Sequence, residues 1–210
     1  MVGKLLVLEG TDGSGKATQV KLLRERLEKR GAKVYNLSYP DYESIYGRII
    51  NDFLHFKISL GVEEQFFVYL LDMIKDKDKV KKALEESDFV IMDRYLFSTL
   101  SYQCSNGFDY DRAKDLIRLM GLNKPFAVFY IDVPVEVSMQ RKKIQKQSVG
   151  EVDKFERDKA LLTSVKQIYE KLITEKFFSD NWLRVEGAGT PESVANSMAD
   201  QLSKITGNGI

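Results

Sequence analysis

The residues best suited to chemistry lie near the start of the chain, in the segment EGTDGSGKAT at residues 9–18. The segment nearly matches the pattern G-x-x-x-x-G-K-[ST], in which the N–H groups of a glycine-rich loop surround a phosphate chain. Lys16 would reach the outer phosphates, and the following helix would present the positive end of its dipole. A turn that only caps a helix is the alternative. The residues predicted to bind ATP here are Gly10, Thr11, Asp12, Gly13, Ser14, Gly15, Lys16, Ala17 and Thr18.

Ala17 stands where this pattern has a hydroxyl that contacts Mg²⁺. Thr18 points about 100° away around the helix, so it is a poor replacement. Mg²⁺ keeps several water ligands and is held in large part by the phosphates themselves. We therefore expect Mg²⁺ binding to be weakened but not abolished, with a water molecule in the position of the missing hydroxyl.

A second segment, DRYLFSTLSYQ at residues 93–103, follows an apolar run. The planar guanidinium of Arg94 can bind two phosphate oxygens at once. Asp93 ends the apolar run and suits a water-mediated hold on Mg²⁺, because ligands bind at the carboxyl ends of parallel strands. A buried ion pair between the two is the alternative. Ser98, Tyr102 and Gln103 are spaced to face one pocket from a single helix.

Short apolar runs alternate with segments of helical spacing, which predicts an α/β doubly wound fold with parallel strands. The runs that predict strands are residues 4–9, 33–39, 88–93, 126–132 and 182–186. The segments that predict helices are residues 18–30, 62–84 with a break near the charged run 75–79, 109–120, 154–176 and 191–205. We expect the tail at residues 206–210 to be loose.

The composition limits the classes of protein to consider. A length of 210 residues predicts a single domain, and a net charge of +1 favours neither nucleic acid nor a membrane surface as a partner. The single cysteine, Cys104, excludes an internal disulfide. No stretch reaches eighteen apolar residues, and no basic leader starts the chain, so we expect a cytoplasmic protein.

Four segments together resemble the thymidylate kinase family: the glycine-rich loop, residues 93–103, Tyr39-Pro40 with Gly47, and residues 153–156 with Tyr169. The resemblance implies a P-loop NTPase-type three-layer fold with a five-stranded parallel sheet, helices on both faces and a short lid. It also implies transfer of the γ-phosphoryl group of ATP to the 5′-phosphate of dTMP, with Mg²⁺, by a homodimer. The acceptor is already an anionic oxygen, so the chemistry needs alignment and cations more than a general base.

The resemblance also implies roles for individual residues. Arg94 would hold the acceptor phosphate, and Asp12 would address the sugar 3′-hydroxyl unless it only forms the turn. Tyr69 would stack on thymine, although it could equally belong to an apolar aromatic stripe. Tyr102 and Gln103 would lie near the base and sugar. The residues expected to bind the acceptor nucleotide are Asp12, Tyr42, Tyr69, Arg94, Ser98, Tyr102 and Gln103.

The chain departs from the family at two arginine positions, where it has Tyr42 and Met73. Arg48 or Lys75 could supply charge from nearby. Gly13 also takes the place where some members carry an arginine, which directs attention to the basic run at residues 141–146. We expect a lid at about residues 141–154, from which Arg141, with Lys142 or Lys146, neutralises transition-state charge. A solvated basic helix is the alternative.

Three functions therefore remain open from the sequence. The first is a thymidylate-kinase-like enzyme that uses ATP and Mg²⁺. The second is a kinase for another nucleotide or for a deoxynucleoside, although the latter reaction usually has a glutamate base where this chain has Asp93. The third is a non-catalytic nucleotide-binding protein, against which Lys16, Arg94 and the basic run argue.

Overall fold

Five parallel strands form one sheet in the computed structural model, which describes residues 2–147 and 159–207. The strands are β1 (Lys4–Glu9), β2 (Val34–Ser38), β3 (Phe89–Asp93), β4 (Ala127–Asp132) and β5 (Trp182–Glu186). They lie in the order β2-β3-β1-β4-β5, and every neighbouring pair is parallel. The predicted five-stranded parallel sheet is confirmed, with strand bounds within one residue of those expected.

Helices connect these strands and cover both faces of the sheet. In the described residues they are α1 (Lys16–Lys29), α2 (Ile45–Leu54), α3 (Val62–Ile74), α4 (Lys77–Glu86), α5 (Leu96–Ser105), α6 (Tyr110–Leu119), α7 (Val135–Gln147), α8 (Lys159–Thr174) and α9 (Pro191–Thr206). The charged run does separate α3 from α4. Helix α1 begins two residues earlier than predicted. Helix α2 was not predicted; it is capped by the Ser44 hydroxyl, which accepts a hydrogen bond from the Gly47 N–H at 2.8 Å.

The sheet divides the core into two apolar layers, and β1 shows how its sequence does so. Leu5 and Val7 belong to the layer on one face, whereas Leu6 and Leu8 belong to the layer on the other. Successive side chains of a strand point to opposite faces, so a continuous apolar run fits a strand covered on both sides. Helices α3, α5 and α8 contribute to the first layer, and α1 and α9 to the second. The three-layer architecture is therefore confirmed.

The sequence motifs meet at the carboxyl edge of this sheet. Leu8 of β1 is paired with Asp93 of β3, so the loop after β1 lies beside the segment after β3. Parallel α/β sheets bind ligands at this edge. Within residues 2–147 and 159–207, no helix is long and apolar enough to cross a membrane.

Only the first part of the predicted lid is described. Residues 141–147 form the last two turns of α7. The rest of the predicted lid, with residues 153–156 of the family resemblance, lies outside the described residues, as does the side chain of Lys146. The tail prediction falls partly outside as well, since the described chain ends at Gly207 after α9. The lid stays a prediction.

Candidate active site

The loop between β1 and α1 has a backbone that requires glycine at more than one point. Gly10, Gly13 and Gly15 all have positive φ angles, of 148°, 80° and 94°. Gly13 also lies against α7, because a Cβ atom added there would be 2.4 Å from the carbonyl oxygen of Ser138. A side chain is therefore excluded by conformation and by space. Helix α1 begins directly after this loop, at Lys16, so its first N–H groups face the same region.

Lys16 lies under the loop that it follows. Its side chain is buried, and Nζ donates hydrogen bonds to the carbonyl oxygens of Gly10 at 3.0 Å and Thr11 at 2.9 Å. Burial, followed by the positive charge of Arg94, lowers the pKa of Lys16 to about 8. An anionic phosphate chain nearby would favour the charged ammonium and raise this pKa again.

This pKa predicts how activity depends on pH. If protonated Lys16 captures ATP, kcat/KM for ATP should fall as pH rises through about 8, because the free enzyme loses the cation. The kcat at saturating ATP should hold to higher pH, because bound phosphates keep the lysine charged. Initial rates measured from pH 6.5 to 9.5 test this expectation. A kcat/KM that is flat across that range would show that the protonation of Lys16 does not limit capture.

Arg94 lies at the centre of the site. Its backbone has a left-handed φ of 66°, and its N–H donates to the Leu8 carbonyl at 3.0 Å, which fixes the chain directly after β3. The guanidinium donates to the Gly10 carbonyl at 3.2 Å and to the Ser98 hydroxyl at 2.9 Å, and it forms an ion pair with Asp12. A left-handed conformation is unusual for an arginine, and strained backbone of this kind clusters at functional sites.

Glu9 supports this arginine from below, and the sequence reasoning did not select it as a site residue. Its fully buried carboxylate accepts hydrogen bonds from the Ser98 hydroxyl at 2.6 Å, the Tyr169 hydroxyl at 2.7 Å and the Tyr95 N–H at 2.8 Å. Burial raises the pKa of Glu9, and the Ser98 hydrogen bond and the charge of Arg94 oppose that rise. A carboxylate at the end of an apolar strand, directly before the loop, was the available signal.

Two of the cavities at this edge of the sheet meet at Arg94. The first, called the acceptor cavity below, has a volume of ≈ 150 Å³. Its lining includes all of the residues predicted to bind the acceptor nucleotide: Asp12, Tyr42, Tyr69, Arg94, Ser98, Tyr102 and Gln103. Met73 forms part of its wall and is buried. The structure therefore brings together residues that the sequence spreads from position 12 to position 103.

The second, called the phosphate cavity below, has a volume of ≈ 510 Å³ and lies over the start of α1. It shares four lining residues with the acceptor cavity: Tyr39, Pro40, Tyr42 and Arg94. The residues predicted to bind ATP or Mg²⁺ that line it are Gly13, Gly15, Lys16, Ala17, Thr18, Asp93 and Arg141. Ser14 lines a third cavity of ≈ 270 Å³ beside Gly187 and Pro191, while Gly10 and Thr11 hold Lys16 through their carbonyls.

Arg141 lies between the phosphate cavity and the third cavity and lines both. Its guanidinium donates hydrogen bonds to the carbonyl oxygens of Gly187 at 3.0 Å and Ala188 at 3.5 Å. In this arrangement its charge is directed toward the loop after β5. The expected role of Arg141 over the transferred phosphate stays a prediction, since it requires the guanidinium to leave these carbonyls.

Neither Lys75 nor Arg48 supplies the positive charge that is absent at Tyr42 and Met73. The Nζ atom of Lys75 lies 2.6 Å from Asp76, 3.1 Å from Asp41 and 3.2 Å from Asp72. Three carboxylates around one ammonium leave no net positive charge there. Arg48 donates to the backbone carbonyl of Glu43 and is exposed. Among the described residues, neither of the two lines the acceptor cavity.

The lining of the phosphate cavity is consistent with a magnesium ion held mainly by its substrates. Asp93 is the carboxylate among the described residues that line this cavity, beside Lys16 and Ala17. Mg²⁺ is commonly bound by one or two carboxylates together with phosphate oxygens and waters. The donor set therefore fits the ion, since Asp93 is near enough to the cavity for the expected hold through water and position 17 offers no hydroxyl.

Comparisons with known proteins agree with this geometry. A family model described as thymidylate kinase matches residues 8–197. A thymidylate kinase of Plasmodium falciparum is 29% identical over 97% of this chain and 91% of its own length. A probable thymidylate kinase of Thermococcus kodakarensis is 34% identical over 80% of this chain and 82% of its own length. A solved thymidylate kinase structure from Candida albicans shares the fold with a TM-score of 0.77 and 19% identity, over 100% of this chain and 94% of that one.

Proposed function

The chain belongs to the thymidylate kinase family, and we propose on that basis that it transfers the γ-phosphoryl group of ATP to the 5′-phosphate of dTMP. The observation that carries the proposal is the pair of cavities that meet at Arg94. One lies over the phosphate-binding loop, and the other contains every residue predicted to bind the acceptor. Two phosphate-bearing ligands placed there would approach each other at a shared arginine.

The reaction follows from that placement. A 5′-phosphate oxygen of dTMP forms a bond to the γ-phosphorus while the bond from that phosphorus to the β,γ-bridging oxygen breaks, and ADP leaves with the electron pair. The acceptor oxygen is already anionic, so no side chain has to remove a proton. Lys16 binds the outer phosphates of ATP, and Arg94 orients the acceptor phosphate. Catalysis then rests on alignment and on neutralisation of charge.

Mg²⁺, when bound, would neutralise and orient the outer phosphates of ATP, with Asp93 holding it through water. Ala17 cannot provide the usual hydroxyl, so Ala17→Ser should lower the Mg²⁺ concentration required for half-maximal rate. We expect a several-fold decrease, since one ligand of a mostly hydrated ion is added. Initial rates in a Mg²⁺ titration at fixed ATP measure this, with Ala17→Gly as the control for the size change. An unchanged titration curve would discard the supposed defect.

The acceptor cavity also carries groups suited to a nucleobase edge. Within the described part of the chain, the side-chain oxygens of Gln103 and Thr99 are buried and have no hydrogen-bond partner. Buried polar groups in folded proteins are nearly always paired, so an unpaired amide oxygen on a residue that lines the cavity suits a hydrogen-bond donor of a ligand. Gln103 would then bind the base edge of the acceptor nucleotide, with Tyr69 beside the ring. Met73 gives this end of the cavity an apolar wall in place of the family's arginine.

A coupled assay of ADP release tests the proposed function. It would compare dTMP, dUMP, other nucleoside monophosphates and free deoxynucleosides as acceptors, with ATP and Mg²⁺. The proposal requires turnover with dTMP and a preference for it over free thymidine. Turnover confined to nucleosides would select a deoxynucleoside kinase, and ATP binding without turnover would select a non-catalytic protein.

We further propose that the chain acts as one domain, forms a homodimer and is located in the cytoplasm. The outer face of α3 supports the dimer, because Phe67 is 39% exposed and Leu71 is 37% exposed. Large apolar side chains are often exposed where another chain covers them. Sedimentation analysis of the purified protein would measure the mass in solution.

A further inference from the structure

The residues predicted to bind the acceptor nucleotide do not supply enough positive charge for a phosphate in the acceptor cavity. Its two described acidic lining residues, Asp12 and Asp72, are matched by two cationic ones, Arg94 and Lys142. Tyr42 and Met73 occupy the two positions at which the family often has an arginine, and both side chains are uncharged. Lys75 pairs with Asp72 from outside the lining, but it is surrounded by three carboxylates, so without Lys142 the charged groups at this cavity would be net negative. A nucleoside monophosphate brings about two further negative charges, so its phosphate requires more than one cation.

Lys142 reaches this cavity from α7, by crossing the phosphate-binding loop. A Cβ atom added to Gly13 would lie 3.2 Å from Cγ of Lys142, so the stem of the lysine passes over the bare glycine. Its Nζ atom lies 3.9 Å from Oδ2 of Asp12, and the side chain is 25% exposed. A long amphipathic stem that packs while its ammonium reaches a polar site is the usual behaviour of lysine. The absence of a side chain at Gly13 is therefore what gives Lys142 its path.

The two neighbours of Lys142 show that this placement is specific. Arg141 does not line the acceptor cavity and donates to the carbonyl of Gly187, which lines the third cavity. Lys143 is exposed and lines none of the described cavities. Helix α7 thus presents three consecutive basic residues in three directions, and one of them enters the acceptor cavity.

We propose that Lys142 is a substrate-binding cation that contacts the 5′-phosphate of the acceptor nucleotide, opposite Arg94. This rests on the proposed function and supplies the charge that Tyr42 and Met73 do not. The carboxylate of Asp12 lies between the two cations, with Arg94 on Oδ1 and Lys142 nearest Oδ2. Both cations line the acceptor cavity, so an arriving phosphate can contact the two of them from the cavity side while Asp12 stays beside them.

Calorimetric binding of dTMP and of thymidine, in the absence of ATP, tests this directly. The two ligands differ only by the 5′-phosphate. Lys142→Ala should weaken dTMP binding by about 10- to 100-fold, the range for a lost charged hydrogen bond, and should leave thymidine binding unchanged. Lys142→Arg should restore most of the dTMP affinity. Lys143→Ala is the matched control on the next residue of the helix and should bind both ligands as the unaltered protein does.

Three outcomes would overturn the proposal. Equal dTMP affinity in Lys142→Ala and the unaltered protein would show that the lysine does not contact the phosphate. A parallel loss of dTMP and thymidine binding, together with a lower melting temperature, would show a structural role. If the unaltered protein binds neither ligand, the proposed function fails first and the inference fails with it. The inference fails alone when the unaltered protein binds dTMP and either of the first two outcomes is observed for Lys142→Ala.

Discussion

Replacing Arg94 with lysine is expected to lower kcat/KM for dTMP by about three orders of magnitude, the lower end of the range for an arginine that stabilises phosphoryl transfer. The substitution keeps the positive charge, so the decrease in kcat/KM reports the contribution of the planar guanidinium geometry. In the structure that fork spans the Gly10 carbonyl, the Ser98 hydroxyl and Asp12 at once. A lysine presents one compact ammonium and cannot orient an acceptor phosphate while keeping these contacts. The measurement is the coupled ADP-release rate over a range of dTMP concentrations.

The matched control for this substitution is Arg24→Lys on α1. Arg24 forms an exposed pair with Glu28 at 2.7 Å, where the change should have almost no effect. Thermal unfolding of both variants separates lost chemistry from lost folding, since Arg94 also compensates the buried Glu9. A correctly folded Arg94→Lys protein that retains more than a tenth of the activity would remove Arg94 from the centre of the mechanism.

The fold could be predicted from the sequence because its local patterns and its tertiary structure agree. In a continuous apolar run such as residues 126–132, the side chains on both sides of the strand have to be buried. Strands of a parallel sheet are covered on both faces, so such runs predict this kind of sheet. Helix α2 was missed because its start depends on the Ser44 cap and its packing depends on Ile50 and Phe53, which meet α3 only in three dimensions. Helical spacing in short segments is weak evidence until such a partner is known.

The site was predictable where a motif is continuous and not where it is assembled from distant residues. The glycine-rich loop and the segment after β3 each carry their chemistry within a few residues. By contrast, Tyr169 reaches Glu9 across 160 positions of the chain. The path of Lys142 depends on the bare backbone of Gly13, a relation between α7 and the loop that no spacing reveals. Sequence reasoning selected the basic run as a source of cations, which stays a prediction, and it could not show the direction of each side chain.

The buried ammonium of Lys16 leads to the other large effect, in which activity and stability should respond differently. Lys16→Met keeps the length of the side chain and removes its charge, so capture of the outer phosphates is lost and kcat/KM for ATP should fall by about three orders of magnitude or more. Folding should change little. Burial already disfavours the charged form, as the pKa of about 8 shows, so removing it relieves a desolvation cost. The carbonyls of Gly10 and Thr11 lose a donor, which opposes that gain.

Steady-state rates with varied ATP and thermal unfolding of the same preparation measure the two quantities together. Lys21→Met, an exposed position on the same helix, is the matched control and should alter neither. We expect Lys16→Met to unfold within a few degrees of the unaltered protein, since a net change of about 1 kcal/mol is the most these opposed terms should leave. A large drop in melting temperature would mean that Lys16 holds the loop together as a structural residue. An active Lys16→Met protein would mean that ATP is bound elsewhere.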